Sequence, residues 1–86
     1  MTVEITTQEA QEIAGRIAVV FQEVLGATEV PDTGSGFLEI GGDSLTAARA
    51  VSLISSRLGV RITVRDLFQK QNADALALVA LRRLAS

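Results

Sequence analysis

The sequence predicts an all-α protein, a four-helix bundle of three longer helices and a short third helix, with a long loop between helices I and II. Three observations predict it. Apolar residues recur at helical spacing in separate stretches. Helix-start and helix-stop residues bracket those stretches. Strand signals are nearly absent. At 86 residues the chain is read as one domain, 1–86, with residues 1–5 a frayed lead-in.

The first helix opens at Thr6-Thr7-Gln8-Glu9, a capping-box spacing in which Thr6 would cap and Glu9 would reach back. Ile13, Ile17, Val20, Phe21, Val24 and Leu25 then form one apolar stripe. Gly26 follows as a natural stop, because glycine accepts the left-handed conformation past a helix end. Residues 27–43 break regular structure at Pro31, Gly34, Gly36, Gly41 and Gly42. Phe37, Leu38 and Ile40 sit within this stretch, so the loop is expected to be pinned onto the core. Asp43-Ser44-Leu45 opens helix II, where either Asp43 or Ser44 can accept from the first free backbone N–H groups. Ala47, Val51, Ile54 and Leu58 make its core face, and Gly59 closes it.

Val60 to Ile62 is short and apolar and reads as extended. Thr63-Val64-Arg65-Asp66 carries a second capping signal and leads into a short turn with Leu67 and Phe68. Gln69-Lys70-Gln71 reads as a polar connector. Asn72 caps a last helix from Ala73 to about Leu84, rich in the strong helix formers Ala and Leu. Arg82 and Arg83 suit the negative end of its dipole. Short connections after helix II favour antiparallel neighbours.

Composition excludes whole classes of function. Hydrophobic residues are 48% of the chain and aromatics 3%, all Phe, so the core must be aliphatic. There is no Cys and no His, which removes the commonest transition-metal ligands, thiol nucleophiles and any Ser–His dyad. No metal site is expected. A net charge of −2 gives nucleic acid no obvious electrostatic hold and leans weakly toward basic partner surfaces. No apolar stretch approaches the roughly 20 residues that span a bilayer. Residues 1–15 lack the basic start and apolar run of a signal peptide. The expected location is the cytoplasm, and the expected state a monomer.

Few residues offer chemistry. Asp32, Glu39 and Asp43 are loop acids, read alone as solvated charges or helix caps, because paired acid–base work needs a pocket the sequence does not display. Gly41-Gly42-Asp43-Ser44 differs. A glycine pair permits a tight turn, and the serine then stands on the surface at or just before the first helical turn, where an ordinary N-cap is the plain alternative. A phosphate-cradling P-loop would need Lys before its Ser or Thr, and Asp43 stands there. With no His to activate it, Ser44 would react only under the control of another protein.

Phe37-Leu38-Glu39-Ile40-Gly41-Gly42-Asp43-Ser44-Leu45 resembles the core motif of thiolation domains, the peptidyl carrier proteins of nonribosomal peptide synthesis. The resemblance continues through Ala47, Arg49, Val51, Leu58-Gly59-Val60, Ile62, Val64-Arg65-Asp66-Leu67-Phe68 and Ala75-Leu76-Ala77. It covers about residues 10 to 84.

The resemblance implies that a phosphopantetheinyl transferase, using Mg²⁺, attaches 4'-phosphopantetheine from coenzyme A to Ser44, with Asp43 as the flanking motif residue. It implies an adenylating enzyme that loads the arm, then condensation or tailoring enzymes that receive the cargo. The chain itself would catalyse nothing. Four positions depart from the family's usual pattern. Gly34-Ser35-Gly36 stands where acids are common, Ile40 replaces Leu, Ala48 is small where relatives often have a larger apolar residue, and Gln71 replaces a Pro.

With Ala47, Val51, Ile54 and Leu58 facing inward, Leu45, Ala48, Arg49 and Ser52 share another side of helix II. That side is the expected docking face, joined by Val64 and by Leu67 or Phe68, although the last two have the character of core residues. Other readings remain. One is an acyl carrier of fatty-acid or polyketide type, and another a D-alanyl carrier. More remote are an unmodified helical interaction module and an enzyme. The Met1 start and the lack of a Pro-rich or Gly/Ser-rich tail lead to the expectation of a free-standing carrier.

Overall fold

A computed structural model of the chain describes residues 7–86. Thr6, the expected cap of the first helix, lies outside the described residues. Four helices follow: α1 (Thr7–Leu25), α2 (Ser44–Leu58), α3 (Val64–Lys70) and α4 (Ala73–Ala85). No strand occurs among the described residues. None of the helices described is long and apolar enough to cross a membrane.

α1 is the central element, packing most extensively on α4 and also on α2. Its predicted stripe faces inward: Ile17, Val20, Phe21 and Val24 are buried, along with Ala14 and Ala18. Gly26 takes φ 65°, and the Ala27 N–H donates to the Gln22 carbonyl at 3.1 Å. That six-to-one bond is the Schellman closure that glycine permits. α2 ends the same way. Gly59 is left-handed at φ 67°, and Val60 N–H reaches the Ser55 carbonyl at 3.2 Å.

On α2, Ala47, Ala50, Val51 and Ile54 are buried. Leu58, expected on this face, is only half-buried at the helix end, and Ala50 completes the face instead. The segment after Gly59 is not paired as a strand. It folds back on α2, where the Ser55 hydroxyl accepts from Ile62 N–H at 2.9 Å and sits 3.2 Å from the Ile62 carbonyl. Ile62 is thereby buried.

Thr63 caps α3 in a reciprocal box with Asp66, as its spacing predicts. α3 then runs through Gln69 and Lys70 rather than giving way to a connector. Both residues are good helix formers, and Lys70 favours the negative end of the dipole. Asn72 caps α4 by accepting from Ala75 N–H at 2.8 Å. Leu76, Ala77, Val79 and Ala80 bury the inner side of α4.

Arg83 does more than complement the α4 dipole. Its guanidinium grips Asp66 at both carboxylate oxygens, 2.5 and 3.0 Å, and also donates to the Arg61 carbonyl at 2.9 Å. This fork joins α4 to the start of α3, with geometric specificity that a point charge lacks. The Arg83 guanidinium, helped by the Thr63 cap, holds the Asp66 carboxyl well below the usual carboxylate range. A folded pKa below the unfolded one means stability that is complete well above pH 4 and is lost as pH falls below the ordinary carboxylate value. Asp66→Asn is expected to cost about 1–2 kcal/mol at pH 7, limited by the half-exposed guanidinium. Urea unfolding from pH 7 to pH 3 should converge toward the variant at the acid end. Parallel curves at all pH values would show that the carboxylate charge contributes nothing.

Candidate functional site

The loop before α2 is built around Phe37. Its side chain is fully buried and meets Phe21 with ring centroids 4.9 Å apart, tilted at 56°. That offset geometry suits two aromatic quadrupoles. Its backbone is equally committed. Phe37 N–H donates to the Gln71 carbonyl at 2.7 Å, and its own carbonyl accepts from Gly42 N–H at 2.9 Å. Ile40 N–H closes onto the Gly36 carbonyl at 3.1 Å, and Gly36 N–H is held by Glu39 at 2.9 Å. Residues 36–42 thus form one compact turn with its apolar side down. Ile40 is half-buried against the core, whereas Leu38, expected to be pinned with it, is 50% exposed.

Two glycines make the turn possible for different reasons. Gly41 has φ 105°, open to glycine but rarely to other residues. Gly42 has an ordinary φ, yet a Cβ there would overlap the Phe37 ring and lie 2.7 Å from the Phe37 carbonyl oxygen. Its bare backbone is what lets the turn close over the aromatic side chain.

Gln71 is the residue that sequence reasoning undervalued. Read as part of a connector, it instead clasps the loop. Its carbonyl takes Phe37 N–H, its side-chain oxygen accepts from Leu38 N–H at 3.2 Å, and its amide nitrogen donates to the Phe68 carbonyl at 3.0 Å. It sits at φ 67°, ψ −43°, the only non-glycine with positive φ among the described residues. Asn72 N–H bonds across it to the Lys70 carbonyl at 2.8 Å, making a strained γ-turn. A further bond from Asp74 N–H to the Thr33 carbonyl, 3.0 Å, ties the start of α4 to the same loop.

Asp43 is the cap of α2. Its carboxylate accepts from Thr46 N–H at 2.9 Å, and its own N–H donates to the Thr46 hydroxyl at 2.9 Å. The D-x-x-T spacing is the signal for this reciprocal box. Thr46 N–H, then the Thr46 hydroxyl, hold the Asp43 carboxyl below its ordinary value, so it is ionised at neutral pH. Because Asp43 takes the capping role, the Ser44 hydroxyl is released from it. Ser44 is the first residue of α2, is exposed, and its side chain makes no hydrogen bond to the described residues. An exposed hydroxyl on the first turn, with the adjacent Asp43 carboxylate held by Thr46, leaves room for a group joined through a phosphodiester. The positive end of the α2 dipole favours that anion.

The other predicted site residues divide. Leu45 is 72% exposed, and Ala48, Arg49 and Ser52 are exposed on the same side of α2. Ala48, Arg49 and Ser52 line one shallow hollow with Leu53. Val64 and Phe68 are half-buried against the core, and Leu67 is fully buried and belongs to the core alone. No cluster of acidic residues able to hold a metal occurs among the described residues.

Residues 15–79 match the family described as "Phosphopantetheine attachment site". The chain is also similar to parts of several much longer proteins. It is 40% identical over 62 residues, 72% of its length, to the phosphinothricin tripeptide synthetase PhsC of Streptomyces viridochromogenes. It is 44% identical over 64 residues, 74% of its length, to the nonribosomal peptide synthetase agiA of Aspergillus flavus. To the nonribosomal peptide synthetase ecdA of Aspergillus rugulosus it is 38% identical over 72 residues, 83% of its length. The chain spans 6% of the first of these relatives and 1% of the other two. The family match runs from α1 into α4 and takes in the Phe37 turn, the Asp43 cap and Ser44, so the chain belongs to the phosphopantetheine attachment family, whose members carry 4'-phosphopantetheine covalently.

Proposed function

We propose that the chain is a peptidyl carrier, or thiolation, domain of nonribosomal peptide synthesis and that Ser44 is its attachment residue. The observation that carries the reading is the exposed Ser44 hydroxyl at the head of α2, without a hydrogen bond among the described residues and inside the matched family region. The synthetase relatives support the assignment to peptide rather than fatty-acid chemistry.

The chain's own residues divide the work simply. Phe37, Gly42 and Gln71 fix the turn that delivers Ser44. Asp43 caps the start of α2, and its carboxylate is committed to the Thr46 N–H and hydroxyl rather than to the Ser44 hydroxyl. With no His or Cys in the chain, the serine proton leaves to a base on the phosphopantetheinyl transferase. Asp43 remains available to orient that enzyme or its Mg²⁺. When bound, the phosphopantetheine supplies the thiol that holds an aminoacyl or peptidyl group as a thioester. Residues 1–86 then act as one monomeric, non-catalytic domain that presents cargo in turn to an adenylating enzyme and to condensation or tailoring enzymes. Tethering raises the local concentration of cargo at each docked partner. Leu45, Ala48, Arg49, Ser52, Val64 and Phe68 form the docking face in this reading.

The test is direct. Incubated with coenzyme A, Mg²⁺ and a promiscuous phosphopantetheinyl transferase, the chain is expected to gain the mass of one phosphopantetheine, and Ser44→Ala none. No gain in the wild type, or an equal gain in Ser44→Ala, overturns the reading. Loading the product with amino acids against acyl groups then separates a peptidyl from an acyl carrier.

A further inference from the structure

The first three helices each run into a residue with positive φ: α1 into Gly26 at 65°, α2 into Gly59 at 67° and α3 into Gln71 at 67°. At the first two, glycine takes the left-handed conformation without strain, and a Cβ there would meet nothing within 4 Å. Stopping a helix in this chain therefore asks for no side chain. α3 stops instead on a glutamine, in a γ-turn whose ψ of −43° lies outside the left-handed helical region.

What that side chain does is visible in the hydrogen bonds. Gln71 offers the loop two acceptors, its carbonyl to Phe37 N–H at 2.7 Å and its Oε1 to Leu38 N–H at 3.2 Å. The same two loop residues hold the glycines before the site. The Phe37 carbonyl accepts from Gly42 N–H at 2.9 Å, and the Leu38 carbonyl accepts from Gly41 N–H at 3.3 Å. Two parallel rungs thus run from Gln71 through the turn to Gly41-Gly42, and Asp43-Ser44 follows directly. A single rung would leave the turn free to tilt about one hydrogen bond, and the second fixes the tilt. Glycine at position 71 would supply only the first. The Gln71 Nε2 donates to the Phe68 carbonyl at 3.0 Å, so only one orientation of the amide satisfies both partners and keeps Oε1 on Leu38. Leu38 is half exposed, so water can satisfy its N–H when the second rung is lost. That rung therefore adds little to stability and much to placement.

We propose that Gln71 is a positioning residue for the modification of Ser44. Its side-chain amide sets the tilt of the turn that presents the serine, and the strained backbone is retained for the sake of that amide. The proposal rests on the reading of Ser44 as the attachment site. A turn free to tilt spends less time in the arrangement the transferase accepts, and the apparent affinity falls by that fraction. Strain held where helix termination does not require it is what such a role would leave in the backbone.

The experiment uses the unmodified full chain with coenzyme A, Mg²⁺ and a phosphopantetheinyl transferase, transfer being followed by intact mass. Gln71→Gly keeps the backbone rung, relieves the strain at φ and removes the side-chain bonds to Leu38 and Phe68. It is expected to raise the KM for the chain about fivefold with kcat within about twofold of wild type. Its Tm should stay within about 5 °C, because strain relief offsets the lost bonds. Amide exchange at Leu38 should speed at least about tenfold. Gln71→Glu keeps an acceptor for Leu38 N–H and should bring KM back to within about twofold of wild type. An unchanged KM or unchanged Leu38 exchange in Gln71→Gly overturns the proposal, as does a loss confined to kcat or an equal rise of KM in both variants. A larger fall in Tm overturns it too, since Gln71 would then serve the fold. If the wild type itself gains no phosphopantetheine, the Ser44 reading fails and this proposal falls with it.

Discussion

Phe37→Ala is expected to cost about 4 kcal/mol and to bring the domain close to unfolding at room temperature. A chain of this size holds about 4–13 kcal/mol in total. The loss has two sources. The ring is fully buried, so its removal forfeits the transfer free energy and leaves a cavity against Phe21. The aliphatic neighbours cannot collapse into that space without moving α1, which packs on two other helices. Thermal unfolding should fall by about 20 °C. Leu38→Ala, one residue along and half exposed, should cost less than about 1 kcal/mol. Similar losses at the two positions would mean that the turn is not anchored through its aromatic side chain.

Gly42→Ala should cost about 3 kcal/mol although it adds a single methyl group. That methyl would occupy the space of the Phe37 ring edge and press within 2.7 Å of the Phe37 carbonyl oxygen. Neither can retreat. The ring is enclosed, and the carbonyl accepts the hydrogen bond from Gly42 N–H itself. A double-mutant cycle with Phe37→Leu separates this contact from a general effect on the backbone. With the ring edge removed, the added cost of Gly42→Ala should drop by at least about 1 kcal/mol. Additive losses in urea unfolding would locate the strain elsewhere. At a temperature where the variant is folded, Ser44 should still accept phosphopantetheine, because the clash lies beneath the turn and not at the hydroxyl.

What the sequence revealed follows the range of the interactions involved. The Thr63–Asp66 box, the Asn72 cap and the glycine stops at 26 and 59 depend on neighbours three to five residues away, and they appear where spacing puts them. The inner face of α2 was only partly legible. Ala50 falls outside the four-three-four series that picks out Ala47, Val51, Ile54 and Leu58, and Leu58, at the helix end, packs on the core while staying only half-buried. Phe37-Leu38-Ile40 announced a pinned loop but not which residues turn inward. That depends on the backbone bonds to Gln71, from the far end of α3. Gln71 itself could not be foreseen, since glutamine rarely adopts a positive φ and does so here where two long-range bonds, from Phe37 and Leu38, converge on it. At the site, the motif singles out Ser44, the attachment residue proposed above. That its hydroxyl is free was hidden, because Asp43 and Ser44 are both good caps, and only the Thr46 geometry chooses between them.

The clasp at Gln71 bears on how far a tethered cargo can travel. An arm sweeps a volume centred on its fulcrum, and a wandering fulcrum would blur the reach of whatever it carries. Here the fulcrum is referenced to the corner between α3 and α4 as well as to α2, through Phe37, Leu38 and the strained turn at Gln71. On the reading of Ser44 as the attachment point, the mounting is tied to α2, α3 and α4 together, and the reach of the arm is measured from that corner.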